Sequence, residues 1–287
     1  MKTLSDGESM TPPDESAARQ PQGAPAALLN GLAILESFSI RRPVLGVTEI
    51  SEIVGLHKST VSRMLHGLAE LGYVQRERDG ARYRLGLSVL ELSAPLLADL
   101  DIRDAGLEHL ERLTEITGET SALGVWSGTG TIVVDQVASP HQVRHTQPIG
   151  NRYNQWSSSS VRVMLAYQPL KTVHELIDDG LIIAPKGGLT RQQIENELEE
   201  IRRTGVAMNK GHTTPEEFGV SAVVRDLRGA EIGCVVLSAP SSRVELNDSA
   251  ESLQEAVRRT ANDISARLGA SVVAENGQGH DSVESRP

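Results

Sequence analysis

The chain predicts an α+β fold that opens with a winged helix-turn-helix, and three observations predict it. Residues Val47 to Leu85 read in succession as helix, turn, helix and β-hairpin, an order that implies a nucleic-acid partner. The 287 residues, at about 100 to 200 per domain, leave room for a second domain, and 39% hydrophobic content is enough for two ordinary cores. In the second half, stretches with helical spacing of apolar residues are interleaved with short apolar runs bounded by glycine, as expected of mixed helices and strands.

The N-terminal elements follow in order. Residues 1–25 are rich in Ser, Pro, Gln, Ala and charge, residues 273–287 are similar, and both are predicted to be disordered tails. From Ala27 onward Leu28, Leu32, Leu35 and Phe38 recur at helical spacing, which predicts a first helix broken at Arg41-Arg42-Pro43. The motif then supplies a helix from Thr48 to Val54, a turn at Gly55-Leu56 and a second helix from Lys58 to Leu71.

In that second helix Val61, Leu65 and Leu68 share a stripe with Met64 beside them, so this side packs inward. The opposite side carries Ser59, Ser62, Arg63 and His66, with Lys58 and Thr60 at the N-terminal turn. In helix-turn-helix docking these positions meet base edges, hydroxyls and Lys also reach phosphates, and Arg63 can pair bidentately with guanine. One amphipathic helix alone would more simply be a solvated surface. The turn glycine, the adjoining hairpin and the local charge reverse that preference.

The hairpin is predicted by alternation from Tyr73 to Arg78 and from Ala81 to Leu85 around Asp79-Gly80, a dipeptide suited to a two-residue type I′ turn. Tyr73 or Val74, Tyr83 and Leu85 then point inward, while Arg78 and Arg82 flank the tip, where arginines suit phosphate contact or minor-groove insertion. The winged domain so defined spans 26–87. A further amphipathic stretch, Leu87 to Leu100, crosses Pro95 and reads as a linker helix, placed at 88–102.

A net charge of -10 is at first sight wrong for a DNA binder. Divided along the chain it is -2 over residues 1–25, +2 over 26–87 and -10 over 88–287, so the positive charge sits with the motif. No run of about 18 apolar residues occurs, and the acidic N-terminus lacks an apolar signal core, so the chain is expected in the cytoplasm. The single cysteine, Cys234, offers neither a disulfide nor a thiolate cluster, and in its apolar run it reads as a small core residue.

Enzymatic signals are missing. His141 and His145 form an HxxxH pair, but in a stretch expected to be a strand they would stand about 13 Å apart, too far to share a metal. Gly128-Thr129-Gly130 lacks the third glycine of a dinucleotide loop and reads as a hairpin turn, and no Gly-x-Ser-x-Gly elbow appears. No catalytic residue, metal or cofactor is assigned.

The chain resembles the IclR family of bacterial transcriptional regulators over roughly residues 27–265. The likeness rests on Gly31-Leu32-Ala33-Ile34-Leu35, Glu49-Ile50-Ser51-Glu52, Gly55 to Leu65, Leu71-Gly72-Tyr73-Val74 and Tyr83-Arg84-Leu85-Gly86. Thr117-Gly118-Glu119-Thr120 and Ser238-Ala239-Pro240-Ser241-Ser242-Arg243 carry it into the second half. It implies a GAF-like sensor domain with a largely antiparallel sheet, placed at 103–272, that binds an effector and forms homodimers or homotetramers on double-stranded operator DNA.

Compatible elements are helices at 104–116, 160–167, 171–177, 191–204 and 249–268, with strands at 121–126, 131–137 and 232–237. By the resemblance, the effector cavity is bounded by Trp156-Ser157-Ser158-Ser159-Ser160 and by the strand ending at Ser238. Hydroxyls and free N–H groups at a helix start suit a carboxylate, and equally the serines would simply cap the helix. Trp156 stands where the family often has His, and Val161-Arg162 replaces a common Gly-Lys pair; Trp156 then offers a wall for an aromatic ligand. Residues 216–226 depart from the family pattern in a way that two alignments explain, and Ser221 is carried as a pocket residue. Two readings stay open: a regulator, more readily a repressor, sensing a small organic carboxylate or aromatic molecule, or a DNA-binding oligomer whose second domain senses nothing.

Overall fold

The computed structural model describes residues 25–39, 41–77, 80–98, 101–185 and 187–270. The expected tails, apart from Pro25, lie outside the described residues, as do Arg78 and Asp79 at the hairpin tip. The chain divides into two compact units, one ending at Leu97 and one beginning at Ala98, and each is described by itself.

The first unit comprises α1 (Ala26–Glu36), β1 (Leu45–Gly46), α2 (Val47–Val54), α3 (Lys58–Glu70), β2 (Val74–Arg76), β3 (Arg82–Leu85) and α4 (Ser88–Ala98), the last running through Pro95. Its core joins Ile34, Phe38, Leu45, Ile50, Val61, Leu65 and Val74, and burial of each large aliphatic side chain stabilises the unit by about 1.5–3 kcal/mol. The turn between α2 and α3 works because Gly55 takes φ 69°, a left-handed conformation costly for any residue with a Cβ, and because Ser51 Oγ donates to Leu56 O at 2.6 Å. The three strands lie in the order β1-β3-β2, all antiparallel. The register Val74↔Leu85, Gln75↔Arg84, Arg76↔Tyr83 is the one an Asp79-Gly80 turn requires, and β1 is a third strand that its two residues gave no periodicity to predict.

Two packing expectations are corrected. Leu28 and Leu32 are 56% and 48% exposed, because only the C-terminal end of α1, through Ile34, Leu35 and Phe38, meets the other helices. Leu85 shares the face of Val74, but at the end of its strand it remains exposed.

The second unit contains α5 (Asp101–Thr117), β4 (Thr120–Trp126), β5 (Thr131–Val137), β6 (Arg152–Tyr153), α6 (Ser159–Leu165), α7 (Leu170–Asp178) and α8 (Arg191–Thr204). It continues with β7 (Val206–Lys210), β8 (Glu217–Arg225), β9 (Glu231–Pro240), α9 (Ser241–Leu246) and α10 (Ala250–Arg267). The six strands form one antiparallel sheet in the order β6-β5-β4-β9-β8-β7.

Helices cover both sides of that sheet, which explains why β8 and β9 read as unbroken apolar runs rather than alternating ones. Val220, Ala222 and Val224 of β8 and Val235 and Leu237 of β9 join Leu110, Leu113, Val257 and Ile264 of α5 and α10. The intervening Val223, Cys234 and Val236 point the other way, to Val161, Met164, Leu198 and Ile201 of α6 and α8. Cys234 is fully buried there, and desolvation pushes its thiol up to about 12, as befits a core residue.

The helix α8 matches its expected limits because its ends are well marked. Thr190 and Gln193 form a reciprocal capping box, and Gly205 closes the other end with φ 75°. The stretch around His141 and His145, expected to be a strand, lies instead in a loop at 138–151. Its polar backbone is satisfied by side chains: Thr120 Oγ1 donates to His145 O, Ser139 Oγ to Gly118 O, and Arg243 pairs with the buried Glu119 at 2.7–2.8 Å while also reaching Val143 O. The two histidines of the HxxxH pair therefore serve a loop, where His145 Nε2 lies 3.2 Å from Glu216 O.

Candidate DNA interface and ligand cavity

The side of the first unit expected to read DNA is built on α3. His57 sits at the N-cap, where its Nδ1 accepts from Ser59 N–H at 3.3 Å and lies 2.9 Å from Ser59 Oγ. Val61 and Leu65 are buried, whereas Lys58, Ser59, Ser62, Arg63 and His66 are exposed along one side, with Thr60 half-buried at the first turn. Lys58 and Arg63 form no ion pair among the described residues, so their charges are available to a partner. His66 lies 3.3 Å from Glu70 on the same helix, a fully solvated pair of little energetic weight.

The wing arginines are placed differently from one another. Arg82 is not a free side chain at the tip: its Nη2 donates to Val44 O at 2.9 Å and pairs with Glu49 at 3.0 Å. Glu49 in turn accepts from Gly46 N–H at 2.7 Å, and this backbone bond first, with Arg82 second among the favourable contacts, holds its carboxyl below the usual range. Arg82 thus fastens the wing to α2, with about half of its side chain still exposed. Arg84 pairs with Glu77 across the hairpin, and Arg76 Nε donates to Gly80 O at 3.1 Å. Arg76 was not among the expected contacts, although in the sequence it alternates with Arg78 and carries the same signal.

In the second unit, a recess lies between the start of α6 and the side of the sheet that carries Val133 of β5 and Val236 of β9. It measures about 380 Å³, part of it open to solvent. Ser158, Ser159, Ser160 and Ser238 line it. Ser158 and Ser160 are hydroxyl to hydroxyl at 2.9 Å, and Ser159 pairs in the same way with Ser221. The N-cap Ser158 makes no side-chain bond to the helix backbone; its hydroxyl pairs with Ser160 instead.

Three expected residues do not line the recess. Trp156 is buried among the helices on this side of the sheet, and its Nε1 donates to Glu197 of α8 at 3.0 Å, so the aromatic wall lies within the core. Ser157 contributes its carbonyl to Arg162, and Ser221 stands behind Ser159. Arg162, itself 6% exposed, is held by Glu197, Ser157 O and Met208 O and does not line the recess.

The residues that sequence reasoning missed arrive from loops and strand ends. Gln147, from the strapped loop, donates to Ser238 Oγ at 2.6 Å and to Glu217 Oε1 at 3.4 Å. Thr213, beyond β7, donates to Glu217 Oε2 at 2.9 Å and also bonds Asn209. Glu217 opens β8 and is the one charged side chain in the lining. The arrangement is a polar, mostly neutral recess lined by hydroxyl, amide and carboxylate groups from α6, from strands of the sheet and from the loops that carry Gln147 and Thr213. Among the described residues no group of His, Cys, Asp and Glu is arranged to hold a metal ion, and no helix is long and apolar enough to cross a membrane.

Comparison with known proteins agrees with both halves. Residues 27–78 match the IclR helix-turn-helix domain, and residues 94–266 match the family described as bacterial transcriptional regulator IclR C-terminal. Among curated relatives, the chain is 28% identical over 260 residues to the HTH-type transcriptional regulator KdgR of Escherichia coli, covering 88% of this chain and 95% of that one. It is 26% identical over 247 residues to the E. coli HTH-type transcriptional repressor AllR, covering 85% and 90%. The crystal structure of an IclR homologue from Microbacterium hydrocarbonoxydans, complexed with 4-hydroxybenzoate, shares the fold with a TM-score of 0.72 at 22% identity, covering 86% of this chain and 100% of that one. With family models matched across both units and relatives named as transcriptional regulators, this chain belongs to the IclR family of bacterial DNA-binding transcriptional regulators and is not an enzyme.

Proposed function

We propose that the chain is a ligand-responsive operator-binding protein, acting as a repressor in the cytoplasm as a homodimer or homotetramer. Residues 26–87 form its DNA head, 88–102 its linker and 103–272 its effector-binding and oligomerisation domain. The observation that carries the reading is the continuous exposed row Lys58, Ser59, Ser62, Arg63 and His66 on a helix whose other side is buried. Such a helix enters the major groove with its N-terminal residues at base edges, while the wing contacts the backbone. Two heads related by a two-fold axis then read a palindromic operator.

The recess at Ser158–Ser160 and Ser238 is the proposed effector seat. An effector that binds one spacing of the paired heads better than another shifts the population toward it, and operator affinity follows. The relative named as a repressor supports the sign of regulation, and the homologue complexed with 4-hydroxybenzoate supports the presence of a small-molecule seat on this fold.

The test is fluorescence anisotropy on genomic fragments selected by the purified protein, with and without metabolites that raise its melting temperature. A stabilising metabolite that releases operator supports the proposal. An oligomer that binds operator but responds to no metabolite in a broad library would instead be a DNA-binding scaffold, and light scattering that returned a monomer at working concentration would remove the paired-head geometry.

A further inference from the structure

We infer that the recess selects a neutral, hydroxyl-bearing ligand of the polyol or sugar type over a carboxylate. This rests on the proposed sensing role of the same site. The first argument is charge. Among the described residues no Lys, Arg or His lines the recess, and its acidic side chain is that of Glu217. A ligand carboxylate placed there would face a like charge across a partly desolvated gap with no counter-ion. The guanidinium of Arg162 offers no compensation, since it is already matched by Glu197 and two carbonyls. The seven-residue helix α6 supplies only first-turn N–H groups, which do not offset a full charge.

The second argument is hydrogen-bond complementarity. The Ser158–Ser160 and Ser159–Ser221 pairs have either atom as donor, so each can turn to give or accept a bond. Glu217 accepts only, at present from Thr213, Ser238 and Gln147. A ligand hydroxyl, donor and acceptor at once, satisfies both kinds of partner; a carboxylate, acceptor only, leaves Glu217 facing acceptors. Val133 and Val236 give the C–H side of the ligand an apolar floor.

The experiment is isothermal titration calorimetry on the full-length protein with matched pairs: glycerol and glycerate, D-xylose and D-xylonate, 4-hydroxybenzyl alcohol and 4-hydroxybenzoate. In the pair that binds most tightly, the neutral member is expected to bind at least about tenfold tighter, a gap that like-charge repulsion in a low-dielectric site can supply. Glu217→Gln is expected to close that gap by strengthening the carboxylate member. Ser238→Ala, which keeps the charge, is expected to weaken the neutral member and leave the order intact, so a folding defect in one variant does not decide the matter.

A carboxylate that binds more tightly than its neutral partner, with Glu217→Gln making no difference, overturns the inference and leaves the sensing role standing. Binding by neither set also overturns it. The sensing role fails separately, if operator affinity responds to no metabolite in the broad library.

Discussion

The replacement Arg63→Ala isolates base reading from folding. Arg63 lies on the second turn of α3, exposed and without an ion pair among the described residues, and alanine is the better helix former. Its removal should therefore alter unfolding free energy by no more than about 0.5 kcal/mol. On operator DNA the loss of one bidentate guanine contact costs about 1–3 kcal/mol, or roughly 5- to 150-fold in Kd. On random DNA only one phosphate-range charge is lost, so the ratio of specific to non-specific affinity should collapse.

Arg82→Ala is the necessary contrast. Arg82 fastens β3 to Glu49 and Val44 O, so the change should weaken binding to all sequences and also lower the melting temperature of the winged domain modestly. Anisotropy titrations on operator and random duplexes at several salt concentrations, beside urea denaturation, separate the two. Equal fractional losses on both duplexes for Arg63→Ala would show that it meets phosphate rather than a base, and the docking assigned to α3 would have to be redrawn.

Other outcomes follow from burial and charge. Leu65→Ala empties a fully buried site in a small core and should cost about 2–5 kcal/mol, read as an early urea transition of the winged domain; a cost under about 1 kcal/mol would mean that α3 is not seated as described. Glu119→Gln leaves Arg243 without its charge partner beneath the 138–151 loop, and since the arginine is partly solvated the loss should be about 2–3 kcal/mol, with hydrogen exchange in that loop accelerating before the sheet does. Cys234 should resist thiol reagents at pH 8 unless the protein is unfolded. Because its folded value is raised to about 12, its contribution to stability is present below its unfolded value near 9 and is lost as pH rises from there toward 12, a decline that Cys234→Ser should flatten in alkaline melts. In Gly86→Ala a Cβ would meet Gly72 O at 2.0 Å, so the junction between wing and α4 must shift and the winged domain should melt earlier than wild type.

The winged domain was legible because its signals are local. Gly55, the Val61/Leu65 stripe and the alternation around Asp79-Gly80 each state their own structure. The faults there were of extent: Leu28 and Leu32 obey the period of α1 but lie where no neighbour reaches, and periodicity carries no information about where a neighbour stops.

The cavity was legible only in part, and the division is physical. Ser158, Ser159, Ser160 and Ser238 sit on a helix start and a strand, where spacing fixes direction. Gln147, Thr213 and Glu217 are brought in by a loop and by strand ends, and their placement depends on contacts far away in sequence, such as the Glu119–Arg243 pair and the β8–β9 register. Trp156 misled for a related reason. An indole beside four serines suggests a ligand wall until Glu197, forty-one positions later, is seen to take its N–H.

The sheet that floors the recess has its interior strands hydrogen-bonded to neighbours on both edges, so its shape owes nothing to which hydroxyls hang from it. Evolution can therefore exchange the lining one side chain at a time, as long as the apolar side facing α5 and α10 is kept. For this reason the cargo recognised by a cousin is a poor guide, and the lining residues of each member are the better one.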